Sequence, residues 1–177
     1  MRKTAGIVFL VFIFIILASA FAVLKLHPMP YRDMVKEASQ RHGVSEALIF
    51  AIIKTESGFD KDAVSRAGAM GLMQITPDTF DYIIEKSGAK QMDVSMLLDP
   101  KTSIDSGTFL IARHMDEFSD LKSALCAYNA GRGAVNKWLG DSRYSSDAVT
   151  LTKIPYKETR NYVKKVMFSY KIYSILI

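Results

Sequence analysis

The segment Val44–Pro77 (VSEALIFAIIKTESGFDKDAVSRAGAMGLMQITP) constrains the fold of this chain more strongly than any other stretch. Its first half has apolar residues at the i, i+3, i+4 spacing that is typical of one face of a helix, and Ser45 is the predicted N-cap. The stripe consists of Leu48, Ile49, Ile52 and Ile53. It ends on a carboxylate, Glu56, and Gly58 follows at the position where a left-handed C-cap is expected. The pattern predicts a core helix that carries an acidic side chain at its C-terminal end.

Glu56 is therefore a candidate general acid. A carboxyl group at the end of an apolar stripe loses hydration when it is charged, so its pKa is expected to rise toward neutral pH. A group that holds its proton at that pH can donate it to a substrate. The alternative is a structural carboxylate that caps the helix or pairs with a lysine or arginine, and periodicity alone does not separate the two interpretations.

Four motifs that occur in order along the chain resemble the soluble lytic transglycosylase family. They are Glu56–Phe59 (ESGF), Gly68–Gln74 (GAMGLMQ), Ala127–Gly131 (AYNAG) and Ile154–Val163 (IPYKETRNYV). The resemblance extends over roughly residues 31–170. One departure is Ser103, where the family usually has an asparagine, and it puts a local hydrogen bond in doubt.

The resemblance implies an all-α, goose-type lysozyme-like domain of about seven helices around a sugar-binding groove. It implies that Glu56 protonates the glycosidic oxygen between N-acetylmuramic acid and N-acetylglucosamine in peptidoglycan. The same residue would then act as base on the C6 hydroxyl of the muramic acid, which closes a 1,6-anhydro ring without consuming water. Neither a cofactor nor a metal is expected.

The resemblance also assigns a substrate-binding set around Glu56. Its members are Ser57, Gln74, Tyr128, Asn129, Glu158 and Tyr162. From the residues alone, Tyr128 also fits an ordinary packed tyrosine, and Glu158 also fits a first-turn acid favoured by the helix dipole. Gln74 has an amide that can bind either a sugar or the catalytic carboxyl.

The N-terminus predicts a membrane anchor, because Ala5–Leu24 is an uncharged apolar run long enough to span a bilayer as a helix. Arg2 and Lys3 ahead of it predict a cytoplasmic N-terminus and an extracytoplasmic catalytic domain. The alternative is a signal peptide cleaved at Ala18–Ala20, which would give a secreted protein. We therefore expect an anchor and linker over residues 1–30 and a catalytic domain over residues 31–177, on the outer side of a bacterial cell membrane.

Composition argues against two other classes of function. Without the three basic residues that precede Tyr31, the formal charge falls from +5 to +2, which is low for a dedicated nucleic-acid binder. The single cysteine, Cys126, excludes an intramolecular disulfide, and the three histidines show no metal-ligand spacing. The expected partners are glycan strands and the membrane, with no nucleic acid and no metal.

Two alternatives to the transglycosylase remain open at this level. One is a muramidase of the same fold that uses water as the nucleophile. The other is a non-catalytic wall-binding module of an envelope-spanning machine, although a binding module has no need for an intact Glu56.

Overall fold

The computed structural model describes the backbone of residues 2–177 and the side chains of residues 12–18 and 21–177. The chain forms two compact units, Met1–Pro30 and Tyr31–Ile177. The first unit contains one helix, α1 (Arg2–Leu26). In the described part of the chain, no helix combines the length and the apolar character needed to cross a membrane. Much of the predicted span Ala5–Leu24, including residues 5–11, lies outside the described side chains.

The second unit is helical, as the sequence predicts. Its α-helices are α2 (Arg32–His42), α3 (Glu46–Glu56), α4 (Pro77–Ser87), α5 (Pro100–Glu117), α6 (Leu121–Ala130), α7 (Arg132–Leu139) and α8 (Lys157–Leu176). A 3₁₀ helix, Val94–Leu98, precedes α5. Within residues 2–177, β-pairing is limited to two isolated bridges in the loop that follows α3, so the described chain contains no sheet.

Short polar side chains start several helices, and Ser45 is the N-cap that the sequence predicts. Ser45 Oγ accepts a hydrogen bond from the Leu48 N–H at 3.3 Å, and Thr76 Oγ1 accepts one from the Thr79 N–H at 3.3 Å. Asp99 caps α5 in the same way, through the Thr102 N–H at 2.9 Å. Each cap satisfies a backbone donor that has no partner inside the helix.

Helix α3 is buried on all sides, and the prediction of a single buried stripe is wrong in this respect. Every side chain from Ala47 to Ile53 is buried, including Phe50 and Ala51, which lie off the predicted stripe. Phe50 stacks on Tyr173 of α8, with ring centroids 5.4 Å apart. A helix that is apolar all round belongs in the interior of a domain. The end of α3, and with it Glu56, is therefore fixed by the core.

The loop Gly68–Gln74 is held tightly beneath the end of α3. Gly71 has a φ of +74°, and a Cβ atom placed there would lie 1.9 Å from the Leu97 carbonyl oxygen. Ser103 Oγ accepts a hydrogen bond from the Met73 N–H at 3.2 Å. The serine that departs from the family pattern thus supplies a hydrogen bond to this loop.

Candidate active site

Glu56 is the last residue of α3, and the chain turns sharply immediately after it. Ser57 is the C-cap, and Gly58 follows in the left-handed region with a φ of +61°. The Ser57 hydroxyl lies 2.9 Å from the Leu72 carbonyl oxygen and 3.2 Å from the Ile53 carbonyl oxygen. It also accepts a hydrogen bond from the Phe59 N–H at 3.1 Å. Ser57 therefore joins the end of the helix to the loop Gly68–Gln74.

Two tyrosines from distant parts of the chain converge on Glu56. Tyr128, near the end of α6, donates its hydroxyl hydrogen to the Met73 carbonyl oxygen at 2.9 Å. Tyr162, on α8, is 7% exposed, and burial followed by the nearby Glu56 charge raises its pKa well above the usual value. Burial and the charge of Glu56 also raise the pKa of Tyr128. Both hydroxyl groups therefore keep their protons; that of Tyr128 is used on Met73, and that of Tyr162 is available as a donor near the carboxylate.

Burial raises the pKa of Glu56 to about 7, and a hydrogen-bonding interaction with Tyr162 opposes the rise. The Tyr162 hydroxyl makes no hydrogen bond of standard geometry with the residues that the structure describes, so this interaction is a loose one. Such contacts often tighten only when substrate is bound. A carboxyl group with this pKa carries its proton in a large fraction of molecules at neutral pH, as a general acid requires.

The other predicted site residues differ in their exposure and in their hydrogen-bond partners. Gln74 uses its Nε2 to donate to the carbonyl oxygens of Ala63 and Gly71, each at 3.0 Å, and so braces the loop. Asn129 follows Tyr128 in the last turn of α6 and is partly buried. Glu158 is exposed in the first turn of α8, one turn before Tyr162. A role in substrate binding stays a prediction for these residues.

A second buried carboxylate is not found beside Glu56 in the described chain. Asp60 and Asp62 lie nearest along the sequence, but both are exposed. Asp60 accepts a backbone hydrogen bond from Asp62, and Asp62 pairs with Lys61 at 2.7 Å. Among the described residues, no three His, Cys, Asp or Glu side chains gather closely enough to hold a metal ion. The arrangement thus offers one protein carboxyl group to serve as both acid and base.

A cleft of about 380 Å³ lies beside Tyr128, and we call it the Tyr128 cleft. It is lined by Asp78, Thr79, Tyr82, Leu110, His114, Ala127, Tyr128, Gly131, Arg132 and Gly133. Sequence reasoning missed most of this wall, because its residues come from α4, α5, α6 and the start of α7. The sequence signal that could have indicated this wall was Arg132, which directly follows the AYNAG motif. Trp138 does not line the Tyr128 cleft; it is 6% exposed and contacts Tyr156 edge-on at 4.9 Å.

Replacing Tyr162 with phenylalanine should raise the pKa of Glu56 further. The substitution removes the hydroxyl that favours the charged carboxylate but leaves the ring that keeps water out. The measurement is a ¹³C NMR titration of the Glu56 carboxyl carbon, with the wild-type midpoint expected near pH 7. A midpoint that stays unchanged or falls in Tyr162→Phe would show that the hydroxyl does not act on Glu56.

Comparison with known proteins shows the family of this chain. Residues 33–151 match the model of the transglycosylase SLT domain. The chain is 37% identical over 158 residues to the membrane-bound lytic murein transglycosylase C of Haemophilus ducreyi, covering 77% of this chain and 43% of that protein. It is 36% identical over 143 residues to the soluble lytic murein transglycosylase of Escherichia coli K12, covering 79% of this chain and 22% of that protein.

Solved structures show the same fold. The 70 kDa soluble lytic transglycosylase of Escherichia coli matches with a TM-score of 0.77 at 29% identity, covering 87% of this chain and 25% of that one. An inactive glutamate-to-glutamine mutant of the lytic transglycosylase Slt from Pseudomonas aeruginosa matches with a TM-score of 0.72 at 32% identity, covering 84% and 24% of the two chains. The chain spans less than half the length of these relatives. Its sequence and fold together place it in the transglycosylase SLT domain family.

Proposed function

We propose that this protein is a peptidoglycan lytic transglycosylase with Glu56 as its single catalytic acid and base. The observation that carries the proposal is the partly buried carboxyl group at the C-terminal end of α3, which has a pKa of about 7 and lies beside two protonated tyrosines. The relatives named above as lytic murein transglycosylases support the same activity.

As the resemblance to lytic transglycosylases implies, the proposed reaction uses Glu56 first as acid and then as base, and the nucleophile comes from the substrate. Glu56 donates its proton to the glycosidic oxygen as the bond from C1 of N-acetylmuramic acid breaks, which releases the 4-hydroxyl of N-acetylglucosamine. The resulting carboxylate then accepts the proton of the C6 hydroxyl, whose oxygen bonds to C1. Atoms and charges balance, and Glu56 ends protonated as it began. Because the nucleophile belongs to the same sugar, effective molarity lowers the barrier and no cofactor is required.

The surrounding residues hold the acid in place for both steps. Burial keeps the protonated form populated, and the hydroxyl of Tyr162 offsets the cost of the carboxylate formed between the steps. Ser57 fixes the loop Gly68–Gln74 against the end of α3, and Tyr128 ties the same loop to α6. We assign Ser57, Gln74, Tyr128, Asn129, Glu158 and Tyr162 to orienting the acid and the sugars.

Mass spectrometry of the products formed by the full chain from purified peptidoglycan tests the proposal. A transglycosylase leaves 1,6-anhydro ends, which are lighter by one water than the reducing ends left by a muramidase. Anhydro ends are expected. Reducing ends would instead establish the lysozyme-like hydrolase, and binding to peptidoglycan without cleavage would establish a wall-binding module.

The first unit, residues 1–30, is proposed to anchor the catalytic unit, residues 31–177, to the outer side of the cell membrane. Support comes from the uncharged run Ala5–Leu24, from the exposed apolar side chains in the described part of α1, such as Phe14 at 71%, and from a relative that is named membrane-bound. Fractionation of cells that express the full chain, with N-terminal sequencing of the product, distinguishes a retained helix from one cleaved at Ala18–Ala20.

A further inference from the structure

The outer side of α8 carries two exposed apolar side chains. Phe168 and Ile175 are 67% and 78% exposed, and seven residues, or about two helical turns, separate them. They therefore lie on the same side of the helix. The opposite side packs into the core, where Phe50 of α3 stacks on Tyr173 with ring centroids 5.4 Å apart. Core packing thus fixes the direction in which the two exposed side chains point.

Exposed lysines surround these apolar side chains. They are Lys157, Lys164, Lys165 and Lys171. Lys164 precedes Phe168 by four residues and Lys171 follows it by three, which is the spacing of neighbours on one helix face. Among the described residues, none of the four lysines forms an ion pair with a carboxylate. We call the four lysines and the two apolar side chains the lysine face of α8.

Little negative charge on α8 compensates the lysine face. The helix contains five basic residues and one acid, Glu158, which lies in the first turn. The fifth basic residue, Arg160, donates to the carbonyl oxygens of Ile154 and Pro155 at 2.6 and 2.7 Å. A second copy of this face would meet it with like charge, which disfavours a dimer through this surface. The face therefore suits a partner that is negatively charged and that also offers an apolar layer.

We propose that the lysine face of α8 binds the surface of a membrane that contains anionic phospholipids. The ammonium groups contact lipid phosphates, and Phe168 and Ile175 enter the boundary between the headgroups and the acyl chains. Lysine suits this position, because its stem can lie along apolar surface while its charged end stays in water. A polysaccharide of the wall can supply negative charge but has no apolar layer for the two side chains. The inference rests on the proposed location of residues 31–177 at the outer side of the cell membrane.

Binding through the lysine face leaves the candidate active site accessible. At about 3.6 residues per turn, Tyr162 lies on the side of α8 opposite Lys164 and Lys171. Its side chain is buried beside Glu56, so lipid on the lysine face does not cover it. A tether at residues 1–30 keeps the catalytic unit near the bilayer, and the lysine face decides which side of that unit contacts the lipid.

The test uses the full chain with Phe168→Trp, which places a fluorescent reporter in the lysine face. The chain is mixed with vesicles of phosphatidylcholine alone, or of phosphatidylcholine and phosphatidylglycerol in equal parts, each with lipids brominated just below the headgroup. We expect strong quenching of the added indole only with phosphatidylglycerol, and added salt should reduce it. The native Trp138 is 6% exposed and contributes little. Met96→Trp, at an exposed position of the 3₁₀ helix, is the control and should show little quenching with either vesicle.

Charge reversal then assigns the binding to the lysines. Each lysine near an anionic surface contributes about fivefold to the binding constant, the equivalent of ~1 kcal/mol. In the Phe168→Trp chain, Lys164→Glu together with Lys171→Glu should lower the binding constant by at least about 25-fold and remove most of the quenching. Lys90→Glu together with Lys137→Glu changes the net charge by the same amount at exposed positions outside α8 and should leave the quenching unchanged.

Equal quenching with the two kinds of vesicle, or quenching that survives reversal of Lys164 and Lys171, would overturn the inference. If that reversal instead weakened sedimentation with purified peptidoglycan and left the quenching unchanged, the face would belong to the wall and not to the membrane.

Sedimentation of the chain with the vesicles separates this inference from the proposed anchor. A chain that sediments with both kinds of vesicle without quenching of the added indole would leave the anchor standing and overturn the inference. A chain that sediments only with phosphatidylglycerol, with quenching, would support the inference and contradict the anchor. Sedimentation with neither would overturn both.

Discussion

Glu56→Gln should lower the rate of peptidoglycan cleavage by about 10³-fold, within the 10²–10⁴-fold range that a general acid–base contributes. Glutamine keeps the size of the side chain but can neither donate a proton to the glycosidic oxygen nor accept one from the C6 hydroxyl. The measurement is release of soluble products from purified peptidoglycan. In the wild type, kcat/KM should fall as the pH rises above about 7, because the acid loses its proton there.

Asp62→Asn is the matched control, since it removes the same charge from an exposed carboxylate. It should keep the wild-type rate. If Glu56→Gln retained more than about a tenth of that rate, the loss would be too small for a general acid and the assignment would be wrong.

Glu56→Gln should also stabilise the folded protein at high pH. The pKa of Glu56 is about 7 in the folded chain against an ordinary value of 4.5, so folding favours the protonated form. The resulting cost is absent below about pH 4.5 and grows as the pH rises through 7, to at most ~3 kcal/mol. Urea unfolding should therefore give Glu56→Gln a higher free energy of unfolding at pH 8 and little difference at pH 4. Equal values at both pH values would show that the carboxyl group is not strained by burial.

Gly71→Ala should destabilise the fold by more than about 4 kcal/mol, which is at the extreme for a single substitution. Its Cβ would lie 1.9 Å from the Leu97 carbonyl oxygen and 2.7 Å from Ser103 Oγ, and its φ of +74° disfavours any residue with a side chain. Removing this clash requires movement of the 3₁₀ helix that precedes α5. The measurement is the free energy of unfolding in urea, or the yield of folded protein if the variant does not fold.

Gly68→Ala separates the cost of the steric clash from the cost of the positive φ. Gly68 has a similar φ of +78°, but a Cβ atom placed there meets nothing within 4 Å. Its cost should be only about 1 kcal/mol, from the backbone conformation alone. Comparable decreases in the free energy of unfolding for the two variants would show that Leu97 moves away from the added Cβ at little cost.

Local patterns predicted the helices well because the signals that start and end a helix act over a few residues. Ser45 caps α3 at the position where the sequence places it, and Gly58 follows the helix in the left-handed region. The raised pKa of Glu56 was also predictable, since it depends on one carboxyl group at the end of an apolar run.

Features that depend on how helices pack were not predictable in this way. Met115 on α5 and Met167 on α8 fit buried stripes by their spacing, yet each is 40% exposed. Periodicity shows which residues share a face, but the neighbouring helices decide how wide the covered part of that face is. The Tyr128 cleft was not predicted for the same reason, because Tyr82, His114 and Arg132 lie on three helices and meet only in the folded chain.

The peptide groups on either side of Met73 are held by two different helices. Ser103 of α5 accepts from its N–H, and Tyr128 of α6 donates to its carbonyl oxygen. A segment clamped from both directions cannot swing as a lid, so the wall of the site beneath Glu56 is preformed before substrate arrives. Under the proposed function, glycan strands bind against a segment that is already in place, and turnover should not depend on closure of this segment.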